Sequence, residues 1–343
     1  MKNRVHPFYE KNRECLGNIL PLNTPFTVFI DLSEVCNFRC NYCFRSNTSL
    51  KQYGYALQNN LMNWETFIRT IEQIEEFPCE VKKISLSGHG EPLCNKLLPE
   101  MVKYIKRKGI KALIEIHTNA ALLNEEYVKA LLDSQIDKIN ISLQGMSSRK
   151  YKEICQANID FEDYYNKLKL LFQNRTNTTI NIKIADIALE KNEKELFYEK
   201  FEKIADNIYI EEIVPLWESL DYSGLVDKNK FNQNKFGQEI NYQKSCSFTF
   251  YTLFITPNGD IYPCTQPLVA LKLGNIYSTT LKNAWNSQLR QDFLINHLKY
   301  GRQTIENCND CYIAQNSIMT KEDSINEYTE EILGRLWRGN SYD

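Results

Sequence analysis

Three thiols fall within eight residues at Cys36-Asn-Phe-Arg-Cys40-Asn-Tyr-Cys43, directly after the apolar, β-branched run Phe26-Thr-Val-Phe-Ile-Asp-Leu32. Thiolates are the usual ligands of iron–sulfur cubes, and a C-x3-C-x2-C set can hold three of the four irons of a [4Fe–4S] cluster. The fourth iron is then an open Lewis-acid position, which a metal site that binds a substrate needs. No further Cys or His stands nearby to close the set: the next Cys is Cys79 and the next His is His89. A structural zinc knuckle is the competing reading, but zinc sites that only hold a fold are closed by four ligands. Three buried packing thiols are the other alternative, in a loop that is polar around them.

A second set lies toward the C-terminus. Cys246 and Cys264 bracket a hairpin pattern: the apolar, aromatic run 248–255, the turn Thr256-Pro-Asn-Gly259, and a restart at Asp260-Ile-Tyr-Pro263. Cys308-Asn-Asp-Cys311 adds a C-x-x-C pair. Four thiols can close an iron–sulfur cluster or a zinc ribbon, although all-cysteine zinc sites often pair two C-x-x-C knuckles. Here 17 residues separate the first two cysteines across the hairpin. Cys15, Cys79, Cys94 and Cys155 are single and scattered, as expected of thiols that pack as small hydrophobes.

The elements that must position these thiols alternate along the chain. Six apolar runs, 26–32, 82–87, 112–118, 138–143, 179–184 and 208–214, read as strands. Segments 63–76, 97–108, 124–134, 161–174 and 191–204 read as helices; in the first, Trp64, Phe67, Ile68, Ile71 and Ile74 recur at helical spacing behind Asn63, a plausible N-cap. Strand–helix repetition predicts parallel βαβ units. The predicted fold class is α/β: a partial, open (β/α)6 TIM-like barrel, followed by a small β-hairpin/helix unit that carries the second thiol set. The expected division is an N-terminal arm over 1–25, the barrel over 26–218, and a polar, Asn/Lys-rich linker or mobile loop over 219–245. The cysteine unit then spans 246–315, with one helix near 281–298, and a charged helical tail covers 316–343.

In parallel barrels the chemistry gathers at the carboxyl ends of the strands. Those ends carry the cysteine loop, Ser87-Gly-His-Gly-Glu-Pro92, His117-Thr-Asn119, Ser142-Leu-Gln-Gly145, Lys183 with Asp186, and Ile210-Glu-Glu-Ile-Val-Pro-Leu-Trp217. Each alone reads as an ordinary turn. A polar row at the ends of all six apolar strands predicts a site.

With 41 basic and 43 acidic residues the formal charge is −2, which gives no electrostatic case for a nucleic acid or an anionic membrane. No apolar run approaches the ~18 residues of a membrane span, and Met1-Lys-Asn-Arg-Val-His-Pro7 lacks a signal-peptide core. A cytoplasmic protein with neither nucleic-acid nor membrane partner is expected. In a reducing cytosol, eleven cysteines call for metal binding or packing rather than disulfides.

With an aromatic, Tyr42, directly before its last Cys, the loop resembles the signature of the radical S-adenosylmethionine (radical SAM) superfamily. The resemblance implies that Cys36, Cys40 and Cys43 hold a [4Fe–4S] cluster, to which SAM binds through its amine and carboxylate. One-electron cleavage of SAM would give a 5′-deoxyadenosyl radical that abstracts a substrate hydrogen. It further implies that Tyr42 lies against the adenine and that Gly90 and Glu91, matching the family's GGEP element, receive the SAM amine. Asn119 and Ser142 match ribose or carboxylate contacts, and Lys183 would pair with the SAM carboxylate. His89 departs from the pattern, standing where the first Gly is usual. Cys246, Cys264, Cys308 and Cys311 resemble the auxiliary-cluster domain of SPASM/twitch enzymes, in the shorter twitch form with one further [4Fe–4S] cluster. A flavodoxin- or ferredoxin-type electron donor is the implied partner.

A cluster closed by four thiolates suits an electron acceptor, which favours net oxidation. The leading expectation is oxidation of a small polar substrate, a sugar or aminocyclitol alcohol, with a general base among Asp186, Glu211, Glu212 and Glu218. Cross-linking or epimerisation of a ribosomally made precursor peptide comes second, the sequence showing no added leader-binding domain. A non-catalytic iron–sulfur or zinc protein comes third, since such a protein has no use for a SAM site.

Overall fold

Isoleucine alternates with polar residues in Leu113-Ile-Glu-Ile-His-Thr118, Lys138-Ile-Asn-Ile-Ser-Leu143 and Thr179-Ile-Asn-Ile-Lys-Ile-Ala185. Successive side chains of a strand point to opposite faces, so such a run buries one face in apolar contact and turns a polar face the other way. The computed structural model describes residues 13–46, 58–215, 224, 233–239, 241–266, 271–309, 311–316 and 320–339. In it, β1 (Thr27–Ile30), β2 (Lys83–Ser85), β3 (Leu113–Thr118), β4 (Lys138–Leu143), β5 (Thr179–Ala185) and β6 (Asn207–Glu211) pair in parallel, each beside the next. Ile84, Ile114, Ile139, Ile141, Ile180 and Ile182 are fully buried in one core with Phe67, Val102, Leu131 and Leu168 from the helices.

A short helix, α1 (Leu16–Ile19), precedes β1. The crossovers are α2 (Trp64–Ile74), α3 (Leu98–Arg107), α4 (Glu125–Asp133), then α5 (Ser148–Cys155) and α6 (Phe161–Asn174) together, and α7 (Glu193–Phe201). Side chains of Asn63, Asn124 and Asp160 cap α2, α4 and α6 by accepting first-turn N–H groups. α5 is a helix that the apolar periodicity of the sequence does not predict. Ser147 caps it, and it buries Tyr151, Ile154 and Cys155 along one face.

Beyond the barrel run α8 (Phe248–Tyr251), β7 (Thr252–Ile255), β8 (Asp260–Tyr262), β9 (Gly274–Asn275), α9 (Leu281–Trp285), α10 (Gln288–Lys299), α11 (Ile313–Asn316) and α12 (Thr329–Gly339). The hairpin predicted at 248–263 is β7–β8, turned at Gly259, whose φ of +82° is the left-handed region that glycine adopts without strain. It does not stand apart from the barrel. β7 pairs in parallel with β1, from Thr27↔Thr252 to Ile30↔Ile255, giving one nine-stranded sheet in the order β6-β5-β4-β3-β2-β1-β7-β8-β9. Pairing satisfies the N–H and C=O groups that β1 would otherwise present as an open edge.

The single helix predicted at 281–298 is two, α9 and α10. Ser287 accepts the N–H of Arg290 and starts the second afresh, a competition with helix continuation that serine side chains favour. A second core unites α1, α10 and α12 through Leu16, Leu20, Leu294, Leu298, Ile332 and Leu336.

Candidate active site

Where β1 ends, Asp31 is buried and accepts the N–H groups of Ser33 (3.1 Å) and His89 (3.0 Å), which ties the first and second strand ends together. Burial pushes its carboxyl up to about 7. The cysteine loop that follows is anchored on the C-terminus of α5: the N–H groups of Arg39 and Asn41 donate to the carbonyls of Cys155 and Ile154, both at 2.9 Å. Burial pushes the Cys36 thiol up to about 11 and raises Cys43. Cys40 is also raised, by its contact with Cys155, by burial, and by Cys43 and Cys36 beside it. Three thiols that repel one another as thiolates are a donor set awaiting positive charge, and metal coordination deprotonates a thiol outright. Among the described residues no three His, Cys, Asp or Glu converge on a single ion. A cube, which takes each thiolate on a different iron, requires no such convergence. The residues fit the group.

The second strand end is stitched to this loop. A Cβ at Gly90 would lie 2.3 Å from the Ser33 carbonyl oxygen and 2.4 Å from that of Val35, so only glycine allows the approach. The Glu91 N–H donates to Val35 O at 2.8 Å. The Glu91 carboxylate is buried and accepts from the Leu93 N–H (3.1 Å), the Thr118 hydroxyl and the Asn119 N–H (2.7 Å). What it holds is the terminus of β3; burial pushes it up to about 7. The Asn119 amide in turn donates to Asn37 Oδ1 in the loop at 2.8 Å. Tyr42 donates to Gln144 Oε1, and the Gln144 amide donates to the Ser142 carbonyl at 3.3 Å. The first four strand ends therefore surround the cysteine loop.

His89 is a strut. Its Nε2 lies 2.9 Å from Thr265 O, so it donates there, and Nδ1 is 3.7 Å from Asp31 Oδ2. Phe254 and Phe44 pack on the ring at 4.8 and 5.6 Å. Burial lowers its basicity, to about 4. The residue that departs from the family pattern thus reaches the neighbour of Cys264.

The inward face of the sheet carries polar side chains from β2 to β6. Lys83 Nζ lies 3.0 Å and His117 Nε2 3.5 Å from Glu115 Oε1. Burial alone would raise the Glu115 carboxyl, but His117 and Lys83 hold it well below the usual range. Asn140, Asn181 and Asn207 form a ladder across β4, β5 and β6, the Asn181 and Asn207 amides each donating to the preceding asparagine's side-chain oxygen at 2.8 Å. Lys183 is bonded to Glu211. Lys235 approaches the same carboxylate at 3.2 Å. Against burial, the two lysines hold Glu211 at about 2, which makes it a weak proton acceptor. Asp186 accepts the Ile213 N–H at 2.9 Å, and the Glu212 N–H donates to Lys235 O at 2.9 Å. Glu218 lies outside the described residues.

A cavity of about 830 Å³ opens on this inward face, lined by Phe29, Glu115, His117, Lys138, Asn140 and Tyr251 among others. Asp186, Glu211 and Glu212 do not line it. His117, placed at a strand end by the sequence but given no role there, does. Its alternation with isoleucine in Ile114-Glu-Ile-His117 was the available signal.

The four C-terminal cysteines line one pocket with Thr249 and Arg302. Cys246 precedes α8, Cys264 follows β8, and Cys308 and Cys311 precede α11. Arg302, which sequence reasoning missed, organises them. It is buried, its Nη1 donates to the carbonyls of Cys308 (2.9 Å), Asn309 (3.1 Å) and Cys311 (2.9 Å), and its Nε donates to Gln243 O at 3.1 Å. Burial raises the thiols of Cys246, Cys264 and Cys311. Four thiolates on a cube carry net negative charge, and a buried guanidinium beside them supplies the counter-charge that burial demands. This donor set also fits a cluster.

Family models match at two places: the radical SAM superfamily over residues 30–184 and the SPASM iron–sulfur cluster-binding domain over 246–312. A probable GTP 3′,8-cyclase of Methanococcus maripaludis is 34% identical over 125 residues, 36% of this chain and 38% of the relative, so the match spans well under half of that protein. Among solved structures, BtrN in complex with AdoMet and 2-DOIA superposes with a TM-score of 0.52 at 20% identity, over 88% of this chain and 97% of that one. SuiB of Streptococcus suis, bound to the precursor peptide SuiA, gives 0.61 at 16% identity, over 92% and 77%. These likenesses establish a shared fold. Within the described residues no helix is long and apolar enough to cross a membrane. The matched domains coincide with the two thiol sites: the chain belongs to the radical SAM superfamily, a radical SAM enzyme with a C-terminal SPASM domain whose cofactors are SAM and iron–sulfur clusters.

Proposed function

We propose that the chain dehydrogenates an alcohol of a small polar substrate held in the barrel lumen. The observation that carries this is the cavity on the inward face, which sets Glu115, His117 and Asn140 among apolar walls and reaches Phe248 and Tyr251 beside Cys246 at one side and His117 at the β3 end at the other. When bound, SAM and the cluster of Cys36, Cys40 and Cys43 supply a hydrogen-abstracting radical, and the cluster of Cys246, Cys264, Cys308 and Cys311 supplies a one-electron sink. The substrate carbon loses a hydrogen atom, its hydroxyl loses a proton, and one electron leaves, so C–H and O–H become C=O.

The chain's own residues have three tasks. Asp31, Gly90, Glu91 and Asn119 fix the loop against the strand ends, so the reacting centre is set by rigid elements. Asn140 and Phe29 line the lumen with groups that bind a hydroxyl and cover a ring. His117 is the residue placed to take the hydroxyl proton: it lines the cavity, and its Nε2 lies 3.5 Å from Glu115 Oε1 and 3.4 Å from the Asn140 amide.

The test is anaerobic incubation of the cluster-loaded protein with SAM, a reductant and sugars deuterated at the carbinol carbon. Deuterium in 5′-deoxyadenosine with an equal amount of ketone is expected. His117→Ala is expected to lower ketone formation a hundredfold or more while leaving substrate-free 5′-deoxyadenosine formation intact. Deuterium uptake from a peptide alone, with a cross-linked or epimerised product, overturns the proposal.

A further inference from the structure

One thiol beside the cysteine loop belongs to neither cluster set. Cys155 ends α5 and is buried, and Gln156 behind it takes the left-handed conformation (φ +56°) that stops the helix. The last carbonyls of a helix have no partner within it, and the loop takes two of them. Arg39 N–H donates to Cys155 O and Asn41 N–H to Ile154 O, both at 2.9 Å. These bonds flank Cys40 on either side and set its side chain against that of Cys155, with which it is in hydrogen-bond contact. Phe38 packs edge-on against Tyr151 at 5.9 Å and holds the same approach of loop to helix.

The Cys155 thiol has two acceptors in reach, the Tyr151 carbonyl at 2.9 Å and the Cys40 sulfur. The carbonyl is already served by the N–H groups of Gln156 and Ala157, the second at 3.4 Å, which occupy its two lone pairs. A cysteine bound to iron has given up its proton. The hydrogen left between the two sulfurs is therefore that of Cys155, and a thiolate is the more strongly charged acceptor. We propose that the Cys155 thiol donates a hydrogen bond to the Cys40 sulfur and thereby raises the reduction potential of the loop cluster. Such a bond stabilises the cluster more after reduction, when its sulfurs carry more charge, and hydrogen bonds to sulfur are among the factors that set these potentials. Cys155 acts through Cys40, and its effect is on how readily the cluster takes up its electron.

Three variants separate hydrogen bonding from packing: Cys155→Ala, Cys155→Val, which fills a similar volume without a donor, and Cys155→Ser, which keeps one. Iron content and circular dichroism establish loading and folding. The readout is the midpoint potential of the loop cluster in the fully loaded protein, from an anaerobic redox titration followed by electron paramagnetic resonance. The part of the signal that changes when SAM is added belongs to that cluster. Cys155→Ala and Cys155→Val are each expected to raise the oxidised-to-reduced ratio at the wild-type midpoint tenfold, a fall of about 59 mV for one electron. Cys155→Ser is expected to stay near the wild-type value. A wild-type midpoint in either donor-free variant, or a fall in Cys155→Ser equal to theirs, overturns the assignment and makes Cys155 packing for α5. Loss of loop iron from both donor-free variants overturns it as well, because a contact that only tunes the cluster is not needed for its assembly.

Discussion

The cysteine loop takes its three thiols from eight consecutive residues and is fixed by backbone hydrogen bonds to α5 and by the ends of the first three strands. The C-terminal pocket gathers four thiols from three separate segments and fixes two of them through the carbonyls that a single buried arginine holds. The loop is therefore local in sequence and redundant in its supports, whereas the pocket is distributed and depends on one side chain. Substitutions should separate the two sites cleanly, and the pocket should be the more fragile to changes outside its ligands.

The largest effect comes from the ligands. Full loading should give about eight irons per chain, four per cluster. Cys40→Ala is expected to abolish 5′-deoxyadenosine formation and to leave about four irons, held by the C-terminal set. Cys264→Ala is expected to lose the other four while SAM cleavage persists. Iron counting with the 5′-deoxyadenosine assay reads both, and loss of SAM cleavage in Cys264→Ala would merge the two sites into one functional unit.

Next is Arg302. Its guanidinium serves the carbonyls of Cys308, Asn309, Cys311 and Gln243 and the side chain of Gln315. Arg302→Gln leaves buried acceptors unserved, at on the order of 3 kcal/mol, and removes the counter-charge to the thiolates. Iron at the C-terminal site should fall to a small fraction while the loop cluster loads normally. Arg302→Lys keeps the charge without the fork and should recover part of the iron. Equal iron loss at both sites would show that Arg302 matters only to global folding.

The same contrast explains what the sequence disclosed. Both thiol sets were legible because cysteine spacing is itself a geometric signal, and the six parallel strands were legible because isoleucine alternation marks one buried face. Arg302 was not, since nothing near Gly301-Arg-Gln303 announces that its side chain will meet carbonyls six to nine residues on. The pairing of β7 with β1 was hidden for a similar reason: it joins segments more than two hundred residues apart, and local pattern carries no register between them. α5 was missed because half of Ser148-Arg-Lys-Tyr-Lys-Glu-Ile-Cys155 is charged, with its apolar positions confined to Tyr151, Ile154 and Cys155. Yet α5 is what anchors the loop.

A pH dependence should belong to the loop side. Asp31 and Glu91 are buried carboxyls raised from the ordinary range to about 7, and among the described residues no carboxyl lines the C-terminal pocket. Their folded forms hold a proton that the unfolded chain releases near pH 4, so stability is full below that value and falls as pH rises through about 7. Each carboxyl contributes on the order of 4 kcal/mol to that fall. Glu115 and Glu211 are shifted the other way, so their contributions are lost only in acid, outside this window. Buried His89 and His297, lowered to about 4, add stability with rising pH only up to about 6.5, so the urea midpoint of iron-free protein should drop between about pH 6.5 and pH 8, and Glu91→Gln should remove a large part of the slope. A midpoint that rises across this range would refute the assignment.

The smallest effect is at His89, and it tests whether the two regions are independent at all. The ring touches both: its backbone N–H donates to Asp31 beside the cysteine loop, and its Nε2 donates to the carbonyl next to Cys264. His89→Gly would restore the residue that the family pattern has here, open a cavity between Phe44 and Phe254 and break the link to Thr265. The expected cost is about 2 kcal/mol, typical of a buried large-to-small change, with SAM cleavage reduced only a few-fold because Gly90, Glu91 and the loop contacts remain. His89→Gln keeps a donor at similar reach and should restore most of the stability. The decisive reading is spectroscopic. If His89 couples the sites, the electron paramagnetic resonance signal of the C-terminal cluster, isolated in a Cys40→Ala background, shifts on His89→Gly and returns with His89→Gln. An unchanged signal would make His89 packing for the loop alone, and would leave the sheet, through β1 and β7, as the connection between the two cysteine sites.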